Sequence, residues 1–205
     1  MNRFLRCAAS VATATAVAVG APATAYATTT AAQDGSGRAA ASLALPPYQT
    51  WLDDVAAVAG PAESYLDERL PDSSVRAAIV LDIDNTSLQT GYRPGLTSPA
   101  TPAVLEVARQ AAEAGAAVFF VTARPQVLGW QSEANLRSAG YPFTGIYLRP
   151  WFDTQPDQAL KTAARTAIER RGYTIVANIG NSVSDLASGH AERAFKLPDY
   201  DGQLA

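Results

Sequence analysis

Apolar positions along this chain follow two rhythms that alternate. In Tyr48–Val58, the residues Trp51, Leu52, Val55 and Val58 recur at helical spacing. A second helix is expected over Ala62–Leu70, with Pro61 in the first-turn position that proline favours. Ala77–Asp82 is then a short continuous apolar run, the mark of a strand buried on both faces. Pro102–Ala114 reads as a helix, with Thr101 as its cap and Gly115 as its stop. The alternation repeats with strand Ala116–Val121, helix Gln126–Ala139 stopped by Gly140, and strand Gly145–Leu148. Helix Gln155–Arg171 stopped by Gly172, strand Thr174–Ile179, short helix Ser182–Gly189 and edge strand Ala194–Leu197 complete it.

Strands separated by helices of this length predict β-α-β units with right-handed crossovers. The fold class is therefore α/β: a doubly wound, mainly parallel sheet with helices on both faces, behind a helical N-terminal extension. The intervals Thr86–Thr122 and Thr122–Lys161 leave no room for a large cap domain. An open site is expected, covered by the Gln89–Pro99 loop and the N-terminal helices.

The first residues follow a different logic. Arg3 and Arg6 precede an apolar, small-residue run from Cys7 to Ala21, and Ala25-Tyr26-Ala27 is an A-x-A cleavage pattern. Residues 1–27 are expected to be a secretory signal peptide, and the protein to be secreted. The run is too short and too rich in Ala and Thr for a membrane anchor, so no stable membrane insertion is expected. Residues 28–42, rich in Ala, Thr, Ser and Gly, read as a disordered linker. The compact domain is expected over 43–205.

Composition narrows the chemistry. Cleavage after Ala27 removes two Arg and no acid, taking the net charge from −3 to −5. That argues against a nucleic-acid partner, which would want a basic face. The single Cys leaves with the signal, so neither disulfides nor thiol catalysis is open to the remainder. The single His, His190, reads as a surface or helix-end residue, and no Walker P-loop or G-x-G-x-x-G is present. Nothing in the pattern specifies an oligomer.

Asp82-Ile83-Asp84 closes the first buried strand, at the end where open α/β sheets bind their ligands. Two carboxylates crowded there require a cation or a shared proton. Thr122 follows the next apolar run, and a hydroxyl at a strand end can donate to a phosphoryl oxygen. Lys161, one of two lysines in the chain, opens the helix before the last buried strand and is a point cation able to meet a phosphate or a buried carboxylate. Asn178–Asp185 ends that strand and starts a Ser-capped helix.

The D-x-D-x-T of Asp82–Thr86, followed in order by Thr122, Lys161 and Gly180-Asn181-Ser182-Val183-Ser184-Asp185, resembles motifs I to IV of the haloacid dehalogenase (HAD) superfamily. Arg124 after motif II, Trp151-Phe152 and Phe195–Pro198 are similar to the subfamily IIIB acid phosphatases and plant vegetative storage proteins. The resemblance implies a Rossmann-like strand order and a Mg2+-dependent phosphomonoesterase acting on small-molecule phosphomonoesters. Asp82 would be the nucleophile and Asp84 the general acid and later base, its pKa raised by burial beside a second carboxylate. Thr122 and Lys161 would hold the phosphoryl oxygens. Arg124 would add charge near the phosphate or fix a loop. Asp82, the Asp84 carbonyl, Asn181 and Asp185 would ligate the metal. Motif IV is written G-D-x-x-x-D, and Asn181 stands where its first acid is expected, implying weaker metal binding or a different metal preference. A catalytically weak or inactive binding or storage relative, or a phosphotransferase to alcohols, is the alternative. Trp151, Phe152 and Phe195 are otherwise expected to pack in the core or at its rim.

Overall fold

The structure, a computed structural model, describes residues Ala44–Ala205. The expected signal peptide and linker lie outside them. The elements run α1 (Tyr48–Arg69), β1 (Ala77–Leu81), α2 (Pro102–Glu113), β2 (Ala117–Pro125), α3 (Gly129–Ser138), β3 (Gly145–Arg149), α4 (Asp157–Arg170), β4 (Thr174–Gly180), α5 (Val183–Leu186) and β5 (Arg193–Lys196).

The five strands form one sheet in the order β3-β2-β1-β4-β5, with every pairing parallel. This is the Rossmann-like order that the resemblance implied. β1 is central and fully buried beyond its first residue, which explains why Ile79-Val80-Leu81 reads as an unbroken apolar run. Alternate side chains serve opposite faces. Ile79, Leu81, Val118 and Phe120 pack with α1 and α2, while Ala78, Val80, Phe119 and Val121 pack with Ala164 and Ile168 of α4. Burial of each large side chain contributes about 1.5–3 kcal/mol.

The N-terminal region departs from expectation. One helix, α1, runs straight through Pro61 where two were expected. Pro61 has no N–H to give the carbonyl of Ala57, and an interior proline costs about 3 kcal/mol. The opposing term is the buried stripe Trp51, Val55, Ala59, Ala62 and Leu66, which is continuous across the proline. A break at Gly60 would throw its second half out of register. Ser64 Oγ also donates to the Gly60 carbonyl at 3.1 Å.

Other local signals resolve as follows. Gly115, Gly140 and Gly172 adopt φ of 86°, 89° and 82° after α2, α3 and α4, the left-handed stop that glycine permits. Thr101 occupies the N-cap of α2 without capping it. Its main chain is spent on Ser87 and Leu105, and its buried Oγ1 has no hydrogen-bond partner. The helix expected from Gln126 starts with a 3-10 turn and becomes α-helical at Gly129. Phe195 is in the core, but Trp151 and Phe152 are exposed, Phe152 at 96%. They lie on the loop after β3 and touch each other.

Candidate active site

Register places the chemistry. Leu81 pairs with Phe120 on one side and Ile179 on the other. Asp82 is therefore level with Val121 of β2 and with Gly180. Thr122 and Asn181 stand one step further along the adjacent strands. A pocket at this end of the sheet is lined by Asp82, Asp84, Thr122, Arg124, Lys161 and Asn181, and by Ala205. The Gln89–Pro99 loop and α1, expected to cover the site, contribute nothing to that lining. α1 braces the loop instead: Tyr48 Oη donates to Gln89 at 2.7 Å, and Trp51 stacks on Tyr92 at 4.8 Å.

Lys161 is the hub. It sits on the buried stripe of α4 with Leu160, Ala164, Arg165 and Ile168, 5% exposed. Its Nζ lies 3.1 Å from Asp82 Oδ1 and also donates to Asp185 Oδ1. Asp185 gives its other oxygen to the N–H of Ser182 at 2.7 Å, closing a capping box on α5. Burial lifts the Asp82 carboxyl to about 7; Asp185 adds to the rise and Lys161 opposes it. Burial also pulls on the Lys161 ammonium, but Asp82 and Asp185 outweigh it and hold the group above the ordinary lysine value. The two partners of one ion pair thus shift in ways that favour a charged lysine and a protonatable aspartate. Burial works against charge on both groups; Asp82 also meets two further carboxylates, whereas Lys161 meets only opposite charge, enough to outweigh its burial.

Asp84 behaves differently from expectation. It was expected to be buried beside a second carboxylate, yet its side chain is 41% exposed. Asn85 follows it at φ 55°, turning the chain sharply out of the strand. Arg124 grips Asp84 through Nε at 2.8 Å and Nη2 at 2.7 Å, and reaches Ser132 at 3.1 Å through Nη1. Of the two roles expected for Arg124, the geometry favours fixing: its fork is committed to Asp84. Thr122 Oγ1 accepts from the Arg124 N–H at 3.2 Å, leaving its own proton to donate.

Asn181 lines the pocket, while Asp185 lies behind Lys161 and outside the lining; Asn181 is not free. Its N–H donates to Thr86 Oγ1 at 3.1 Å, and its Oδ1 accepts from that hydroxyl at 3.1 Å. Its Nδ2 donates to the carbonyl of Leu204.

The family model for HAD superfamily, subfamily IIIB (Acid phosphatase) matches residues 95–203. The chain belongs to this subfamily. The match holds Thr122, Arg124, Lys161, Asn181 and Asp185, while Asp82 and Asp84 precede it. The subfamily IIIB chain is 36% identical over 107 residues to the stem 28 kDa glycoprotein of Glycine max, covering 50% of this chain and 42% of that protein. It is 27% identical over 106 residues to vegetative storage protein 1 of Arabidopsis thaliana, covering 51% and 39%. It thus spans about two fifths of the length of these curated relatives. The class C acid phosphatase of Bacillus anthracis shares its fold, with TM-score 0.60 and 17% identity over 76% of this chain and 82% of that one. A chain of the Pnkp1/Rnl/Hen1 complex superposes with TM-score 0.55 and 15% identity, over 62% and 47%.

Among the described residues, no three His, Cys, Asp or Glu side chains gather as a metal-binding cluster. The donor set here is mixed: one Asp82 oxygen, the Asp84 carbonyl and the Asn181 amide oxygen, all hard oxygens of the kind Mg2+ takes. Asp82, Asp84 and Asp185 face Lys161 and Arg124, so the ionised cluster is one negative charge in excess. Donor type and charge fit a divalent cation, with fewer free carboxylate oxygens than a motif IV aspartate would provide. Both Asp185 oxygens are already engaged.

Arg165 was missed by the sequence reading. It is fully buried, and its guanidinium donates to the carbonyls of Asp185, Ala187 and Gly189, the last at 3.1 Å. It therefore holds the motif IV loop against α4 and, through the loop, places Asp185 beside Lys161. The available signal was its i, i+4 relation to Lys161 on an otherwise apolar stripe. Arg165→Met takes a donor from three carbonyls, of which, among the described residues, only that of Asp185 keeps another, Asn178 Nδ2 at 2.8 Å. It is expected to cost about 3 kcal/mol, seen as a fall in Tm of about 10 °C by calorimetry. A change below about 2 °C would remove Arg165 from this role.

Proposed function

We propose that this protein is a secreted, Mg2+-dependent phosphomonoesterase acting through an aspartyl-phosphate. The observation that carries the proposal is the buried Lys161 ammonium held between Asp82 and Asp185 at the strand ends, with Thr122 one strand away. An Asp82 carboxylate oxygen attacks phosphorus. The Asp84 carboxyl gives its proton to the departing alcohol oxygen, then takes a proton from the water that cleaves the aspartyl-phosphate, releasing inorganic phosphate. Arg124 grips both oxygens of Asp84 as the carboxylate that takes the proton from water, and keeps one of those bonds to the protonated form that serves the leaving group. Lys161 and Thr122 donate to the phosphoryl oxygens, where negative charge is spread in transfer. Mg2+, when bound, supplies further positive charge against those oxygens, held by Asp82, the Asp84 carbonyl and Asn181. Secretion is supported by the charged, apolar and A-x-A segments of residues 1–27.

The test is phosphate release from p-nitrophenyl phosphate by the chain lacking residues 1–27. Turnover is expected with millimolar Mg2+, falling at least about tenfold in chelator and returning on re-addition. The engagement of Asn181 by Leu204, together with relatives that are named storage proteins, favours a second reading as a binding or storage protein. Folded protein that releases no phosphate with any divalent metal would decide for that reading.

A further inference from the structure

The departure at Asn181 has a partner elsewhere in the chain. Two side-chain amides converge on one carbonyl, that of Leu204: Asn85 Nδ2 donates at 2.9 Å, and Asn181 Nδ2 donates from the other side. The Leu204 side chain is buried. It lies over Gly91, where an added Cβ would stand 2.7 Å from Leu204 Cδ2 and 2.8 Å from Asn85 Oδ1. Asn85 Oδ1 in turn accepts from the Gly91 N–H at 2.6 Å. The same segment is closed by Leu204 N–H on the Asp199 carbonyl at 3.1 Å and anchored to α1 by Tyr200 Oη on Asp54 at 2.7 Å. Its neighbour Ala205 lines the candidate active-site pocket.

We propose that Asn181 and Asn85 are positioning residues that clamp Leu204 and make the 199–205 segment a wall of the pocket, limiting the size of the group attached to the phosphate. An amide is required at 181 because the atom facing Leu204 must donate. A carboxylate there would keep both contacts with Thr86 but set oxygen against oxygen at Leu204. The missing motif IV acid is thus replaced by a residue that shapes the pocket. The role of the wall rests on the phosphatase reading; the clamp does not.

Asn181→Asp and Asn85→Asp test it, each nearly isosteric and each removing one donor. Asn85→Asp keeps the acceptor to Gly91 and suits the left-handed φ. The first readout is hydrogen exchange at the Leu204 and Ala205 amides of the otherwise intact chain. Both variants are expected to exchange about tenfold faster, since a buried carbonyl loses a donor and the segment opens more often. The second is calorimetric affinity for 1-naphthylphosphonate relative to phenylphosphonate, which needs no turnover. The ratio is expected to move toward the larger ring in both variants. Unchanged exchange in both, or faster exchange with an unmoved ratio, would overturn the proposal. Protein that binds neither phosphonate while both variants exchange faster would refute the phosphatase reading and leave the clamp standing.

Discussion

Asp82→Asn is expected to fold and to lose at least about 10³-fold in kcat for phosphomonoester hydrolysis. The exchange replaces one oxygen by an NH2 group at a site 6% exposed, so it leaves shape almost unchanged. What it removes is the carboxylate, the group of Asp82 able to attack phosphorus and form an acyl phosphate. With that carboxyl, which burial pushes up to about 7, goes a charge that is costly to bury. The variant is therefore expected to be as stable as the parent or more so in chelator, with a Tm equal or higher. Loss of activity with loss of fold would say nothing about the nucleophile, so melting and kinetics must be measured on the same sample. Residual turnover above about one part in a hundred, from folded variant, would remove Asp82 from its proposed role.

Lys161→Met has the larger structural effect. It keeps the length of the side chain and takes away the charge between Asp82 and Asp185, leaving two buried carboxylates facing each other. Breaking a buried pair in this way costs about 3–5 kcal/mol, and the loss depends on pH. The folded carboxyl of Asp82 already lies above its unfolded value of 3.8, and removing the ammonium raises it further. Between about 4 and 7 the folded state then binds a proton that the unfolded state has released, so stability rises as pH falls. Below about 7 the folded parent holds that proton as well, so the deficit relative to it is smallest there; it grows as pH rises above about 7, where the parent's carboxyl ionises and the variant's, raised further, does not. In chelator, the Tm deficit of Lys161→Met is thus expected to be largest near pH 8 and markedly smaller near pH 5. Equal deficits at both would mean that the two carboxylates are not the groups the lysine compensates.

Most of the architecture was legible because its causes are local or periodic. Ile79–Leu81 and Val118–Val121 are apolar throughout because both faces of their strands are covered, and Gly115, Gly140 and Gly172 sit where L-residues are strained. The run through Pro61 was not legible, because a tertiary stripe overrides a local preference. The site divided along the same line. That Asp82, Asp84, Thr122, Lys161 and Asn181 meet, with Asp185 reached through Lys161, follows from strand ends being adjacent in a parallel sheet. Which cation takes which carboxylate does not follow. Arg124 pairs with Asp84 across 40 positions, and Asn181 with Leu204 across 23. Nothing in either neighbourhood announces its partner.

The scarcity of lysine turns the hub into its own reporter. The chain carries two, and they stand in opposite surroundings: Lys196 is exposed, while Lys161 is shut between carboxylates and keeps its proton. An acylating reagent must meet a neutral, accessible amine. Lys196 and the α-amino group will take it up at ordinary rates, and Lys161 only when the site opens and its proton departs. The delay before the last adduct appears by mass is a clock for that opening, readable without substrate, metal or a fluorescent probe.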